Sequence, residues 1–181
     1  VDEKLLAKIN ILDSMVDIIG LIDICEPIFN LDLYNTDCVL LESIQDPGNL
    51  GAILRSVAAS GIKNVILSPN SIDVYNPKVL RASQGTQFKL NLYQNIDLNE
   101  FIRNYQGQLV ATMPDAIKDL YALDYKKTTA WVFGNEGSGL SSQIVSQIPL
   151  QIKIPMPGMI ESLNIATALT VCLFEMVRQR Y

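Results

Sequence analysis

No histidine occurs anywhere in these 181 residues. That absence removes Ser-His-Asp and Cys-His catalysis together with the commonest metal ligand, and no Cys-x-x-Cys pair compensates, so no metal is expected. Any catalysis here works without imidazole. Cysteine is scarce as well: Cys25, Cys38 and Cys172 are odd in number, far apart and set among aliphatic neighbours. This is the pattern of buried thiols in a reducing compartment, and a cytoplasmic location is expected. Long apolar runs are missing too. A membrane helix needs about 18 apolar residues in a row, whereas the stretch from Met15 to Ile24 carries Asp17 and Asp23. No membrane role is expected. No signal-peptide pattern is present, and the start at Val1 without methionine leaves room for a longer parent protein.

A basic excess is also lacking, since the formal net charge is -5. By itself this argues against a nucleic-acid partner. Its distribution reverses the inference: residues 1–35 hold two lysines against seven acids, and residues 36–181 hold twelve basic and twelve acidic side chains. The larger part is electrically balanced and leaves room for a local basic patch. With 49% hydrophobic residues, one globular domain with an appendage is expected.

Residues 1–35 show helical spacing at Leu5, Leu6, Ile9 and Leu12 and no catalytic motif, which suits a leader or the tail of another domain. "LDLYNTD" links it to the strand-like "CVLLESI". Strands are predicted at 39–45, 64–67, 88–92, 109–112, 129–133 and 151–154. Helices are predicted at 49–60, 76–83, 97–105, from about 141, and at 164–180. Such alternation implies an α/β fold, a mostly parallel sheet with helices on both faces, with ligands beyond the carboxyl ends of its strands.

Three loops after strands are chemically unusual: "QDPGNLGAILR" (45–55), "GNEGSGLS" (134–141) and "PMPGMIESLNIATA" (155–168). In the first, Asp46 and Pro47 turn the chain, Gly48 permits a positive φ, and Asn49 is placed to cap the next helix. Arg55 is either a surface arginine or a guanidinium aimed into a cleft to hold a phosphate. In the second, three glycines exceed what a turn capped by Ser141 or Ser142 requires, and they let backbone N-H groups approach a ligand. The order G-x-x-G-x-G is not the dinucleotide fingerprint G-x-G-x-x-G, and little chain follows to build a second nucleotide-binding half. In the third, Pro155 and Pro157 stiffen the strand exit, Gly158 bends it, and Ser162 or Asn164 caps a long helix. That helix carries Ile165, Leu169, Cys172, Leu173, Met176 and Val177 at helical spacing, a stripe suited to a core or a subunit interface.

The three loops together, as "DPGNLGAILRSVAASG", "FGNEGSGLS" and "IPMPGMIESLNIATALTVCLFE", resemble the three motifs of the SpoU (TrmH-like) family of RNA ribose 2'-O-methyltransferases in the SPOUT superfamily, over about residues 38–181. The resemblance implies a deep C-terminal trefoil knot, a bound S-adenosylmethionine, an RNA substrate and a homodimer with its active site near the subunit interface, to which the apolar face of helix 164–180 would contribute. Ribosomal RNA is the expected substrate over tRNA, because the leader is acidic; a catalytically inactive cofactor- or RNA-binding module is the other alternative. Residues 1–35 would then be the remnant of an N-terminal RNA-binding domain and 36–181 the catalytic domain.

Matching the motifs residue by residue implies Asn49, Arg55, Glu136, Ser162 and Asn164 as catalytic-site residues. Cofactor contacts would fall on Thr112, Met113, Gly134, Asn135, Gly137, Ile154, Met156, Ser162 and Leu163, many through backbone. An arginine guanidinium is a poor base, so Arg55 is expected to bind a phosphate and stabilise charge on the ribose oxygen, with Glu136 orienting Arg55 or Asn49. Lys78, Arg81 and Lys89 are either phosphate contacts or an ordinary solvated face.

Overall fold

The computed structural model describes Lys8, residues 20–24 and residues 26–181. The helical spacing at Leu5, Leu6, Ile9 and Leu12, and Cys25, lie outside the described residues. Seven strands form one sheet, parallel throughout: β1 (Cys38–Leu41), β2 (Asn64–Leu67), β3 (Asn91–Tyr93), β4 (Gln108–Thr112), β5 (Lys118–Asp119), β6 (Thr129–Phe133) and β7 (Leu150–Lys153). Their order is β3-β2-β1-β6-β4-β7-β5. Among the described residues the helices that follow β1 are α1 (Pro47–Ser60), α2 (Pro77–Ser83), α3 (Leu98–Asn104), α4 (Ser142–Val145) and α5 (Ile165–Arg180).

Every residue of β1 and β6 is buried, which is why these strands are continuous apolar runs and not alternating ones. Val39, Leu41, Trp131 and Phe133 face a core shared with α1, α2 and α5. Cys38, Leu40, Ala130 and Val132 face a second core built with α3, α4 and Leu33. Helices therefore cover both faces, as the alternation predicts. Cys38 and Cys172 are buried free thiols. No helix among the described residues is long and apolar enough to cross a membrane.

Several local predictions are corrected. The strand predicted at 39–45 ends at Leu41, because Ser43 adopts φ 54 and its N-H donates to the Ser68 hydroxyl at 2.8 Å. Asn49 does not cap α1. Asp46 does, accepting from the Asn49 N-H at 2.6 Å, with Pro47 in the first turn where its missing N-H costs nothing. Gly48 therefore lies inside the helix and is not among the glycines with positive φ. The strand predicted at 88–92 gives way to a 3-10 turn, Thr86–Lys89, before β3 begins. The two-residue strand β5 is too short to have shown any periodicity in the sequence.

The apolar stripe of α5 is also settled. Leu169, Cys172, Leu173 and Met176 pack into the core against the sheet, and Met176 sulfur accepts from the Trp131 indole at 3.4 Å. That stripe is unavailable to a second subunit; the opposite face carries the half-exposed Phe174. The far end of α5 is tied down by Arg180. Its guanidinium donates twice to Asp37, at 2.6 and 3.0 Å, and to the carbonyls of Tyr125 and Lys127. Charge-assisted, two-pronged bonds of this kind are strong. Arg180→Ala is expected to lower the unfolding free energy by about 2 kcal/mol, since charged hydrogen bonds contribute about 1.5–3 kcal/mol. A urea unfolding curve checks this, and an unchanged midpoint would show the clamp to be idle.

Candidate active site

Strands β2 and β3 lie to one side of β1, while β6 and β4 lie to the other, so the sheet reverses direction at β1. Crevices at such a reversal, beyond the carboxyl ends of strands, are where parallel sheets bind ligands. Leu41 pairs with Phe133, and Thr112 pairs with Ile152. The four loops that leave β1, β6, β4 and β7 consequently emerge side by side.

Between three of them lies a cavity of about 440 Å³. Thr112 and Met113 line it from the end of β4. Gly134, Asn135, Glu136 and Gly137 form a second wall, and Ile154, Met156, Ser162 and Leu163 a third. All nine residues expected to contact a cofactor thus border one space. Pro114, Leu140 and Glu161 border it too and were not foreseen, although Leu140 and Glu161 stand within the loops quoted above. A larger hollow of about 710 Å³ at the other end of the sheet, lined by Gln106, Asp124, Lys127 and Thr128 among others, contains none of the expected site residues.

The glycine loop folds back on itself. Asn135 and Gly139 exchange backbone hydrogen bonds of 3.0 and 2.9 Å, and Gly139 takes φ 69. A Cβ on Gly134 would lie 2.2 Å from the Gly139 carbonyl carbon and 2.3 Å from its oxygen. Gly134 is bare because the loop's own backbone occupies that space. The Asn135 side chain then staples the loop: its oxygen accepts from the N-H groups of Gly137 and Ser138, and its amide donates to the Ser43 carbonyl at 2.9 Å. Glu42 fixes the exit by accepting from the Ser141 N-H at 2.8 Å, and Ser141 caps α4. Sequence reasoning missed Glu42 and Ser43; the one signal available was an acid closing the apolar run "CVLLE".

Three of the five expected catalytic residues form a chain. Asn164 caps α5, its oxygen accepting from the N-H groups of Ala166 and Thr167, so its amide NH2 must point away from the helix. That NH2 donates to the Asn49 side-chain oxygen at 2.8 Å, and the Asn49 NH2 in turn donates to Glu136 at 3.2 Å. The helix cap therefore dictates the orientation of both amides. Glu136 also accepts from the Asp46 N-H at 3.3 Å and from Asn135. Of the two partners expected for Glu136, the structure supplies Asn49. Ser162 borders the cavity and does not cap α5. Arg55 is exposed on α1 and makes no hydrogen bond or ion pair among the described residues.

The lining has a definite chemistry. Met113, Leu140, Ile154, Met156 and Leu163 make it largely apolar, two carboxylates, Glu136 and Glu161, stand in it, and no lysine or arginine lines it. A pocket without a cation suits a ligand bearing an apolar ring system and a positive centre, and it suits a pyrophosphate poorly. Beneath the floor, the Thr112 hydroxyl meets Cys172 sulfur at 3.5 Å, and burial pushes that thiol up to about 12. Cys172 is thereby a packing group and not a nucleophile. No cluster of metal-ligating side chains occurs among the described residues.

Comparison with known proteins agrees with this geometry. The model of the SpoU rRNA Methylase family matches residues 37–174. An uncharacterized tRNA/rRNA methyltransferase of Synechocystis sp. is 40% identical over 146 residues, covering 79% of this chain and 53% of that protein. A 23S rRNA (guanosine-2'-O-)-methyltransferase of Xanthomonas campestris is 37% identical over 145 residues, covering 78% of this chain and 58% of its own length. The crystal structure of an AdoMet-bound rRNA methyltransferase from Sinorhizobium meliloti superimposes with a TM-score of 0.75 at 33% identity, over 81% of this chain and 57% of that one. The chain thus spans little more than half the length of these relatives.

Proposed function

The chain belongs to the SpoU rRNA methylase family, and on that basis we propose that it methylates a ribose 2'-hydroxyl of ribosomal RNA, using S-adenosylmethionine. The observation that carries this is the coincidence of a cation-free, carboxylate-bearing cavity with the Asn164-Asn49-Glu136 chain at its rim. The cofactor fits the donor set: it brings an adenosine for the apolar walls and a net positive head for Glu136 and Glu161. When bound, it supplies an electrophilic methyl group on a sulfonium.

The residues present divide the remaining work. Met113, Ile154, Met156 and Leu163 hold the apolar part and exclude water, while Thr112, Ser162 and the backbone of Gly134 and Gly137 offer polar contacts. The fixed amide of Asn49, held between Asn164 and Glu136, forms a rigid edge against which a ribose is positioned. Arg55 grips a phosphate of the RNA with its planar fork and stabilises negative charge as it develops on the attacking oxygen. A guanidinium offers five N-H donors and no acceptor, so Arg55 donates and does not act as the base.

Residues 36–181 make up the catalytic domain in this reading, and 1–35 belong to a preceding RNA-binding part. The insertion of β6 between β1 and β4, and of β7 between β4 and β5, supports a C-terminal trefoil knot, a rare exception to unthreaded topology. The exposed Phe174 face of α5, on the helix whose first turn carries the site, supports a homodimer with the active site near the interface. The cytoplasm, where ribosomal RNA and S-adenosylmethionine meet, is the expected location.

The test is calorimetry of the chain with S-adenosylmethionine and with NAD, followed by transfer of labelled methyl to ribosomal RNA and to tRNA. Binding of the sulfonium cofactor alone and label in the ribose of ribosomal RNA are expected. Preferential binding of NAD would overturn the reading, and label confined to tRNA would correct the substrate.

A further inference from the structure

The charge of this chain is segregated in a way its total conceals. Residues 47–96 contain five basic side chains and one acid, Asp73, whereas the remaining residues contain nine basic and eighteen acidic ones. This basic segment comprises α1, β2, α2 and β3, and α2 lies flush on α1. A Cβ on Gly51 would stand 2.3 Å from the Ala82 Cβ and 2.8 Å from its carbonyl carbon, so the two helices touch through backbone. Gly51 and Arg55 are four residues apart and share a face of α1. Arg55 accordingly projects on the side where α2 packs.

Beyond α2 the chain turns at Gly85, with φ 80, into the 3-10 segment Thr86–Lys89. The turn is held from beneath. Gln87 is buried, donates to the Val74 carbonyl at 3.2 Å and accepts from the Ser83 hydroxyl, while the Thr86 hydroxyl donates to the Ser83 carbonyl at 3.0 Å. What this rigid support presents to water is Phe88, 63% exposed and without a ring contact to any aromatic among the described residues. Lys78 and Lys89 are exposed on the same two elements and form no ion pair among the described residues.

We propose that α2 and the turn after it are a landing surface for single-stranded RNA flanking the target nucleotide, with Phe88 stacking on a base and Lys78 and Lys89 holding phosphates. The proposal rests on the reading of the chain as an RNA ribose methyltransferase. A fixed, exposed aromatic among cations is the arrangement that binds unstacked bases without reading their sequence. Paired RNA offers no free base face to Phe88, so the surface selects loops and strands over duplex. The strand leaving Arg55 would pass over α2 directly.

Fluorescence anisotropy with a labelled oligouridylate of about 20 nucleotides, and with a duplex of equal length, tests this on the whole chain. Phe88→Ala is expected to weaken oligouridylate binding on the order of tenfold and Phe88→Trp to restore it, since one base stacked on an aromatic contributes about that much. Replacing Lys78 and Lys89 together by alanine is expected to flatten the salt dependence by about 0.7 in log-log slope per lysine. Binding of S-adenosylmethionine stays unchanged in all three variants, which excludes misfolding. Equal oligouridylate affinity in wild type and Phe88→Ala, or tighter binding of the duplex, overturns the surface. So does a change in sedimentation of Phe88→Ala without a change in RNA affinity, which would make the face a protein contact. Failure of the wild type to transfer methyl to RNA would strike the functional reading instead, and the anisotropy measurement judges the surface in either case.

Discussion

Replacing Arg55 by alanine or by lysine is expected to lower methyl transfer about 100-fold, the usual cost of removing a donor aimed at developing charge. Lysine retains the positive charge and loses the planar fork, so similar losses in both variants would identify geometry as the essential property. Arg55 is exposed on α1 and holds no part of the fold among the described residues. Thermal stability and cofactor binding should therefore remain at wild-type values while turnover with labelled cofactor falls. A loss of turnover accompanied by an equal loss of stability would point to a structural role. Near-normal turnover in both variants would remove Arg55 from the reaction.

Gly134→Ala should be as damaging, by a different route. The added methyl would meet the Gly139 carbonyl carbon at 2.2 Å and the Leu140 nitrogen at 2.3 Å. Both are backbone atoms, so neither can rotate away as a side chain would. Relief requires opening the Asn135-Gly139 bridge, and with it the wall that carries Glu136. Overpacking of this kind costs about 1–3 kcal/mol, and at the upper end this weakens S-adenosylmethionine binding about 100-fold. Calorimetry measures it directly. Gly137→Ala is the control, because its Cβ would meet only the Asn135 side-chain oxygen, at 3.5 Å. If Gly134→Ala bound cofactor as tightly as wild type, the close backbone approach would have no bearing on the pocket.

The two variants probe features that were legible to different degrees. Asn49, Glu136, Ser162 and Asn164 could be singled out as candidates because motif matching preserves order along the chain, and order survives without any knowledge of the fold. Their partnerships were not identifiable. Asn49 meets Glu136 across 87 residues and Asn164 across 115. That Glu136 meets the start of α1 at all depended on which strand lies beside β1, and that neighbour is β6, far away in sequence. Glu42 was missed for the same reason, since its partner Ser141 is 99 residues distant.

The sequence by itself determined what local chemistry controls. The alternation of apolar runs set strands against helices, the lack of histidine excluded imidazole chemistry, and the order of the glycines excluded a dinucleotide fingerprint. Periodicity and capping act over a few residues, so they can be read from the chain directly. Only the tertiary structure decided that the Asn49 amide, free because Asp46 caps α1, is held between Asn164 and Glu136. It also decided that the apolar stripe of α5 is core and that no cation lines the cavity. Each of these depends on contacts made when strands distant in sequence become neighbours in the sheet, and no local preference encodes that choice.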